Sequence, residues 1–400
     1  MILLAVLAHV AQAYQSRPEA ESLVSLADIG ERYLDPNRTP LAERFLHVAR
    51  IAVNPMLFLL AGFSWAFLIK RRGLRSIAWN RTTRILIPLV VTWLIAFPLV
   101  RYSFALGRHL MLAGEGEASL VAAFADTPLT PYLPFAREVF YLAHVWFLYY
   151  LLLFYAASLA LLVWLDRPAG AWRRRLCSFQ TAVLVGDLRW MRLPLLVSLL
   201  VLATLTDGNP ELDISHRLLP DPETFAAHYV FFLVGWLFAL HREILDDLNQ
   251  RAGLRFLLGL LLAILVVTPM GENHLHASTP ADFWLGSSQL QLRIYWLSHA
   301  IASWMIVLGM LGLAQRWFKR VDVRCAYVAE AAFWIYLVHL PFAIFIPVLF
   351  HNWSLDANLK VCISTATVLL ICFVSYHFLV RRTVVGQWLR GRYRRPTKQL

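Results

Sequence analysis

The stretch Leu142–Leu165, LAHVWFLYYLLLFYAASLALLVWL, contains no Asp, Glu, Lys or Arg. A helix of roughly 20 apolar residues, rising about 1.5 Å per residue, crosses the roughly 30 Å hydrocarbon core of a bilayer. A soluble fold has no use for such a run. Similar runs recur on both sides of it, among them Ile85 to Val100 and Leu254 to Val267. The whole chain carries the same signature: 400 residues, 59% hydrophobic and 16% charged, with a mean hydropathy of +0.58. An average soluble domain has roughly 25% charged residues. The expected fold is therefore all-α, a polytopic integral membrane protein of about ten transmembrane helices. Spans are read near residues 1–14, 48–69, 85–107, 139–165, 192–206, 225–241, 254–270, 293–315, 329–350 and 359–380.

The net charge of +12 is explained by topology rather than by nucleic acid, because the basic residues sit in short clusters between apolar runs. Alternate connections and the tail after residue 380 hold 26 of the 37 Lys and Arg residues, and the opposite connections hold seven. Short basic loops stay in the cytoplasm, so both termini are expected there. The opposite connections are longer and richer in acid, Pro and Asn, as in Thr206–Thr224 and Gly271–Gln291, and are expected to rim a site facing the periplasm. Residues 1–380 are read as a single transmembrane domain and 381–400 as a basic cytoplasmic tail. Met1–Tyr14 is short for a span, and is read as the latter part of a longer first helix. Cys177 and Cys325 lie in basic segments and Cys362 and Cys372 in an apolar run, so no disulfide framework or metal-ligand spacing is expected.

Ionisable groups at membrane depth are costly, and each is a candidate for function. His9 sits near the outer end of the first span; an imidazole there has the right proton affinity to accept a hydroxyl proton. The competing reading is an interfacial histidine bonded to a carbonyl. Arg81 and Arg84, three apart at the start of a helix, suit bidentate chelation of a phosphate, although on local evidence alone positive-inside anchoring, which already accounts for Arg71, Arg72 and Arg75, is the favoured reading. His144 and Trp146 stand among aromatics at the mouth of the fourth span, where an aromatic belt accounts for the Trp but not the His. The segment from Glu330 to Pro341 gathers Glu330, Trp334, Tyr336 and His339. Glu330 and Tyr336 are placed toward its inner end, with His339 about 13 Å beyond Glu330. Arg50, Asn54, Arg293, Tyr295 and His299 are candidate partners for His339, and a plain interhelical polar contact is the alternative. There is no G-x-x-x-x-G-K-[ST], H-E-x-x-H or G-x-S-x-G, so ATP-driven, zinc-protease and serine-hydrolase readings lose support.

In this order and spacing, five pieces resemble the membrane acyltransferase type 3 family, nearest its osmoregulated periplasmic glucan succinyltransferase branch. They are Asn54–Phe63, the Arg81/Arg84 pair with Ile-Leu-Ile-Pro88, His144–Tyr150, His228–Trp236 and Trp334–Pro341. The resemblance implies transfer of a succinyl or acetyl group from cytoplasmic acyl-CoA to a hydroxyl of a periplasmic or cell-surface carbohydrate such as a glucan. It implies the bacterial inner membrane as location and acyl-CoA as co-substrate, with no permanently bound cofactor. His9 takes the place of the family's catalytic histidine, and Arg81 and Arg84 that of its donor-handling pair. The arginine that precedes the histidine in the family would fall before Met1. On this reading His9 acts with His339, and Arg50, Arg293 and Tyr336 are the candidates to stabilise the developing oxyanion. Asn54, His144, Trp146 and Glu330 are candidate pocket residues. A transporter or flippase for a sugar or anionic metabolite is the alternative class. The duplicated, broken helices common in transporters are not seen.

Overall fold

Every regular element among the described residues is a helix, as expected where no water is at hand to satisfy backbone groups. The computed structural model describes residues 1–15, 33–71, 74–113, 124, 142–165, 171–205, 220–272, 289–317, 322–383, 385–386 and 389. The periplasmic rims expected at 206–224 and 271–291, and the basic tail, fall largely outside them. In chain order the helices are α1 (Ile2–Ala11), α2 (Pro40–Arg71), α3 (Leu74–Arg81), α4 (Ile87–Ala113), α5 (Trp146–Leu165), α6 (Ala171–Leu184) and α7 (Arg192–Thr204). There follow α8 (Pro222–Leu240), α9 (Glu243–Asn249), α10 (Ala252–Leu262), α11 (Thr268–Glu272), α12 (Gln289–Trp317), α13 (Val323–Leu349) and α14 (Ala357–Ser375).

Eight continuous helical segments among the described residues are long and apolar enough to cross a membrane. They are Pro40–Ile69, Trp79–Met111, Trp146–Trp164, Pro222–Leu240, Ala252–Gly271, Leu290–Trp317, Val323–Leu349 and Ala357–Val380. The remaining two of the ten expected spans are helical but shorter: α1 with its 3-10 extension Gln12–Tyr14, and the 13-residue α7. The protein is thus an all-α polytopic membrane protein.

Proline shapes these helices. A proline leaves the carbonyl four residues earlier without its N–H partner. Two π-turns, Thr82–Leu86 and Ala263–Val267, each end two residues before a proline, Pro88 and Pro269, and widen the helix where that ladder is broken. Pro55 frees the carbonyl of Ile51, and the Ser303 hydroxyl donates to it at 3.1 Å.

The helices cluster into two compact units. One comprises residues 44–78 and 149–320, with Met1. Here α2 crosses α8 at Gly62 and Gly235: a Cβ on Gly62 would overlap the carbonyl of Phe232, and one on Gly235 that of Leu59. Only glycine permits backbones to approach so closely. Ile51 and Ala52 of α2 pack with Tyr295, Ala302 and Ile306 of α12. Arg192 and Asp247 form an ion pair.

The other unit comprises residues 2–43, 79–148 and 321–400. In it α13 packs against α1, α4 and α14. A polar lock ties the segment after α1 to the start of α14. Lys360 Nζ donates to both carboxylate oxygens of Asp35 at 3.0 Å, and both side chains are fully buried. The Tyr33 hydroxyl donates to the same carboxylate at 3.1 Å. Asp35 N–H donates to the Ala13 carbonyl at 2.8 Å, and the Tyr14 hydroxyl pairs with Ser364 at 3.1 Å. This lock fixes the end of α1 and therefore His9, one and a half turns before Tyr14.

Candidate active site

Pro341 lies inside α13, so the carbonyl of Leu337 has no N–H partner within the helix. His144 supplies the partner. Its Nε2 stands 2.9 Å from that carbonyl. A carbonyl only accepts, so Nε2 carries the hydrogen and Nδ1 the lone pair. The Tyr336 hydroxyl returns a bond of 2.6 Å to the His144 carbonyl. The 3-10 turn Ala143–Val145 is thereby fastened to α13 by two reciprocal bonds.

His339 is fixed by the same logic with the opposite tautomer. Its Nδ1 lies 3.0 Å and 2.8 Å from the carbonyls of Ile335 and Tyr336. The hydrogen therefore sits on Nδ1, and Nε2 is bare. Both bare nitrogens, His144 Nδ1 and His339 Nε2, are buried and have no hydrogen-bond partner among the described residues. The two rings are 5.1 Å apart, nearly perpendicular. The ring of His9 lies 5.2 Å from that of His339 on another side. Tyr336 completes the group, 5.6 Å from His144 and 6.2 Å from His339.

Three histidines and a tyrosine, from α1, the turn before α5 and α13, thus gather in one unit. An imidazole held neutral with a bare nitrogen in an apolar surround is an acceptor for a hydroxyl proton. Among the described residues, no three His, Cys, Asp or Glu side chains are arranged to hold a metal.

The other expected residues fall as follows. Tyr336 stands with the histidines rather than toward the end of α13 where Glu330 lies, because six residues carry it about 9 Å along the axis. Glu330 is exposed and accepts from the Tyr376 hydroxyl at 3.2 Å, away from the cluster. Trp146 is buried at the start of α5, and the neighbouring Phe147 ring lies 5.9 Å from Tyr336. Arg81 ends α3 and Arg84 lies in the π-turn, both half-buried. The wider π-turn opens the angle between them relative to a regular α-helix. Arg50, Asn54 and Arg293 are half-buried, and Tyr295 and His299 buried, in the other unit. The neighbours of His339 within its own unit are His9, His144 and Tyr336.

Sequence reading names His144 as a pocket residue but not as the neighbour of His339. Pro341 signals a stranded carbonyl at Leu337, four residues earlier, but His144 lies 193 residues away and cannot be matched to it without knowing which helices touch. Arg101, within the apolar stretch Ile85–Leu106, passes unremarked in the sequence and is buried in the structure.

Fold and cluster together define a multi-span membrane protein with three histidines gathered among its buried residues. Residues 2–377 match the family described as Acyltransferase domain, and the chain belongs to that family, the membrane acyltransferases of type 3. Comparison with curated proteins and with solved structures gives no match.

Proposed function

We propose that this acyltransferase moves a succinyl or acetyl group from cytoplasmic acyl-CoA to a hydroxyl of a periplasmic or cell-surface carbohydrate such as a glucan, in a bacterial inner membrane. The observation that carries the reading is the histidine cluster, with the bare Nε2 of His339 beside His9. The acceptor hydroxyl gives its proton to this pair as its oxygen attacks the thioester carbonyl carbon. Negative charge gathers on the carbonyl oxygen in the tetrahedral intermediate. Its collapse breaks the carbon–sulfur bond, and the imidazolium returns the proton to the departing CoA thiolate. Arg81 and Arg84 are the candidates for the donor's phosphates, since guanidinium groups bind phosphate bidentately. The basic loops on the Arg81 side support a cytoplasmic donor, and the resemblance to the glucan succinyltransferase branch supports the carbohydrate acceptor.

The test is mass spectrometry of periplasmic glycans from cells making the wild type, His339→Ala, or the double variant Arg81→Ala, Arg84→Ala, at equal membrane levels. Acyl adducts present only with the wild type support the reading. Adducts unaffected by either variant overturn it.

A further inference from the structure

α13 starts at the basic connection that holds Arg316, Lys319, Arg320 and Arg324, and at its other end the chain turns over residues 350–356 into α14. Between this turn and the segment after Tyr33 lies a cavity of about 560 Å³, whose lining includes Pro36, Asn37, Arg38, Ser354, Leu355 and Asp356. Pockets for small molecules have volumes of about 300–1,000 Å³. Hydrogen bonds hold its walls in place. Asn37 N–H donates to Asp35 Oδ1 at 2.8 Å, and Asn37 Nδ2 to the Leu355 carbonyl at 2.9 Å. Arg38 Nε donates to the Asp35 carbonyl at 3.3 Å, and Asp356 Oδ1 accepts the N–H groups of Asn358 and Leu359 as the cap of α14. The fully buried Asp35–Lys360 pair ties the two walls together.

The polar groups that these bonds do not use decide the ligand. Arg38 keeps its two Nη groups as donors, Asp356 its Oδ2 and Asn37 its Oδ1 as acceptors, and Ser354 offers a hydroxyl that does both. One cation and one anion balance, so the lining favours neither a phosphate nor a metal ion. A neutral molecule with several hydroxyls satisfies donors and acceptors together. Trp353, next to Ser354, is 46% exposed and stacks on Phe350 with ring centres 4.3 Å apart. Its aromatic surface suits the CH groups of a sugar ring. An aromatic belt accounts for Trp353 but not for the polar pocket beside it.

We infer that this rim pocket is a carbohydrate subsite, holding a sugar ring of the acceptor other than the one that is acylated. The inference rests on the acyl-transfer reading above and adds to it a second place of binding. His339 lies ten residues before the end of α13, about 15 Å along the axis. His9 lies four residues before Ala13, whose carbonyl takes the Asp35 N–H. Pocket and histidines thus share α1 and α13 as supports, but stand farther apart than one sugar ring reaches. Binding at the rim lowers KM for acceptors long enough to occupy both places and leaves the rate of the bound complex to the histidines.

The experiment is acyl transfer from succinyl-CoA and from acetyl-CoA by the full-length protein in lipid nanodiscs. The acceptors are glycans extracted from the periplasm of producing cells and separated into short and long fractions, with KM expressed per sugar unit. Wild type is compared with Ser354→Trp, which fills the pocket, and with Asp356→Asn, which keeps the helix cap and removes the charge. Wild type is expected to show a KM about 10- to 100-fold lower for the long fraction, at similar kcat. Both variants raise the KM for the long fraction toward that for the short one, and their transfer to the short fraction shows that they are folded. A wild-type KM that does not depend on length overturns the inference and leaves the acyl-transfer reading standing. So does a length preference untouched by Ser354→Trp, or an equal fall of kcat on both fractions in the variants. Transfer to neither fraction by the wild type overturns both.

Discussion

His339 and His144 illustrate how a single hydrogen bond assigns chemistry to a side chain. Each imidazole gives its one hydrogen to a backbone carbonyl and keeps a bare nitrogen inside the protein. General acid–base catalysis contributes about 10²- to 10⁴-fold, so His9→Ala and His339→Ala are each expected to lower the acyl-transfer rate by about that factor. Rates of CoA release in reconstituted vesicles measure this. Tyr336→Phe removes the bond to the His144 carbonyl, worth about 1 kcal/mol, and is expected to slow transfer several-fold rather than abolish it. The histidines were legible as candidates in the sequence because ionisable groups are rare in apolar runs. Their mutual placement was not, since His9, His144 and His339 lie on segments far apart in the chain and no local pattern says which of them touch. Arg101 went unread because a lone arginine in a span has no motif around it; its burial reveals it.

At the scale of the helix, proline and glycine set the geometry. Pro341 makes the Leu337 carbonyl available to His144. Pro341→Ala restores an N–H that competes for that carbonyl, and is expected to slow transfer about tenfold, equivalent to about 1.4 kcal/mol, with no loss of thermal stability. A fall in melting temperature of the detergent-solubilised protein, parallel to the fall in rate, would instead mark a packing role. Gly62 and Gly235 sit at a crossing with no space for a side chain. Gly62→Val and Gly235→Val are therefore each expected to lower stability by about 1–3 kcal/mol or more, seen as lower melting temperature and membrane yield. The sequence showed the spans themselves plainly, because about 20 apolar residues in a row have few other uses. It was silent on the π-turn through Thr82–Leu86, which follows from Pro88 only once the helix is known to continue through it.

For the molecule as a whole, sequence reading captured the all-α membrane class and the family, while the division into two units was invisible in it. The fully buried Lys360–Asp35 pair joins chain segments more than 300 residues apart, and no periodicity announces it. Removing either partner leaves an uncompensated buried charge, so Lys360→Met or Asp35→Asn is expected to cost about 3–5 kcal/mol, with much of the loss recovered in the apolar double variant Asp35→Leu, Lys360→Met. Because the same lock holds the end of α1, the single variants are also expected to slow acyl transfer. The histidine cluster is the proposed place of activation of the acceptor hydroxyl. The direct test is carbohydrate-dependent release of CoA from acyl-CoA by the protein in sealed vesicles, comparing wild type with His339→Ala at matched protein content. The expected result is release that rises with acceptor in the wild type and falls at least about 100-fold in the variant. A variant that releases CoA at the wild-type rate would contradict it.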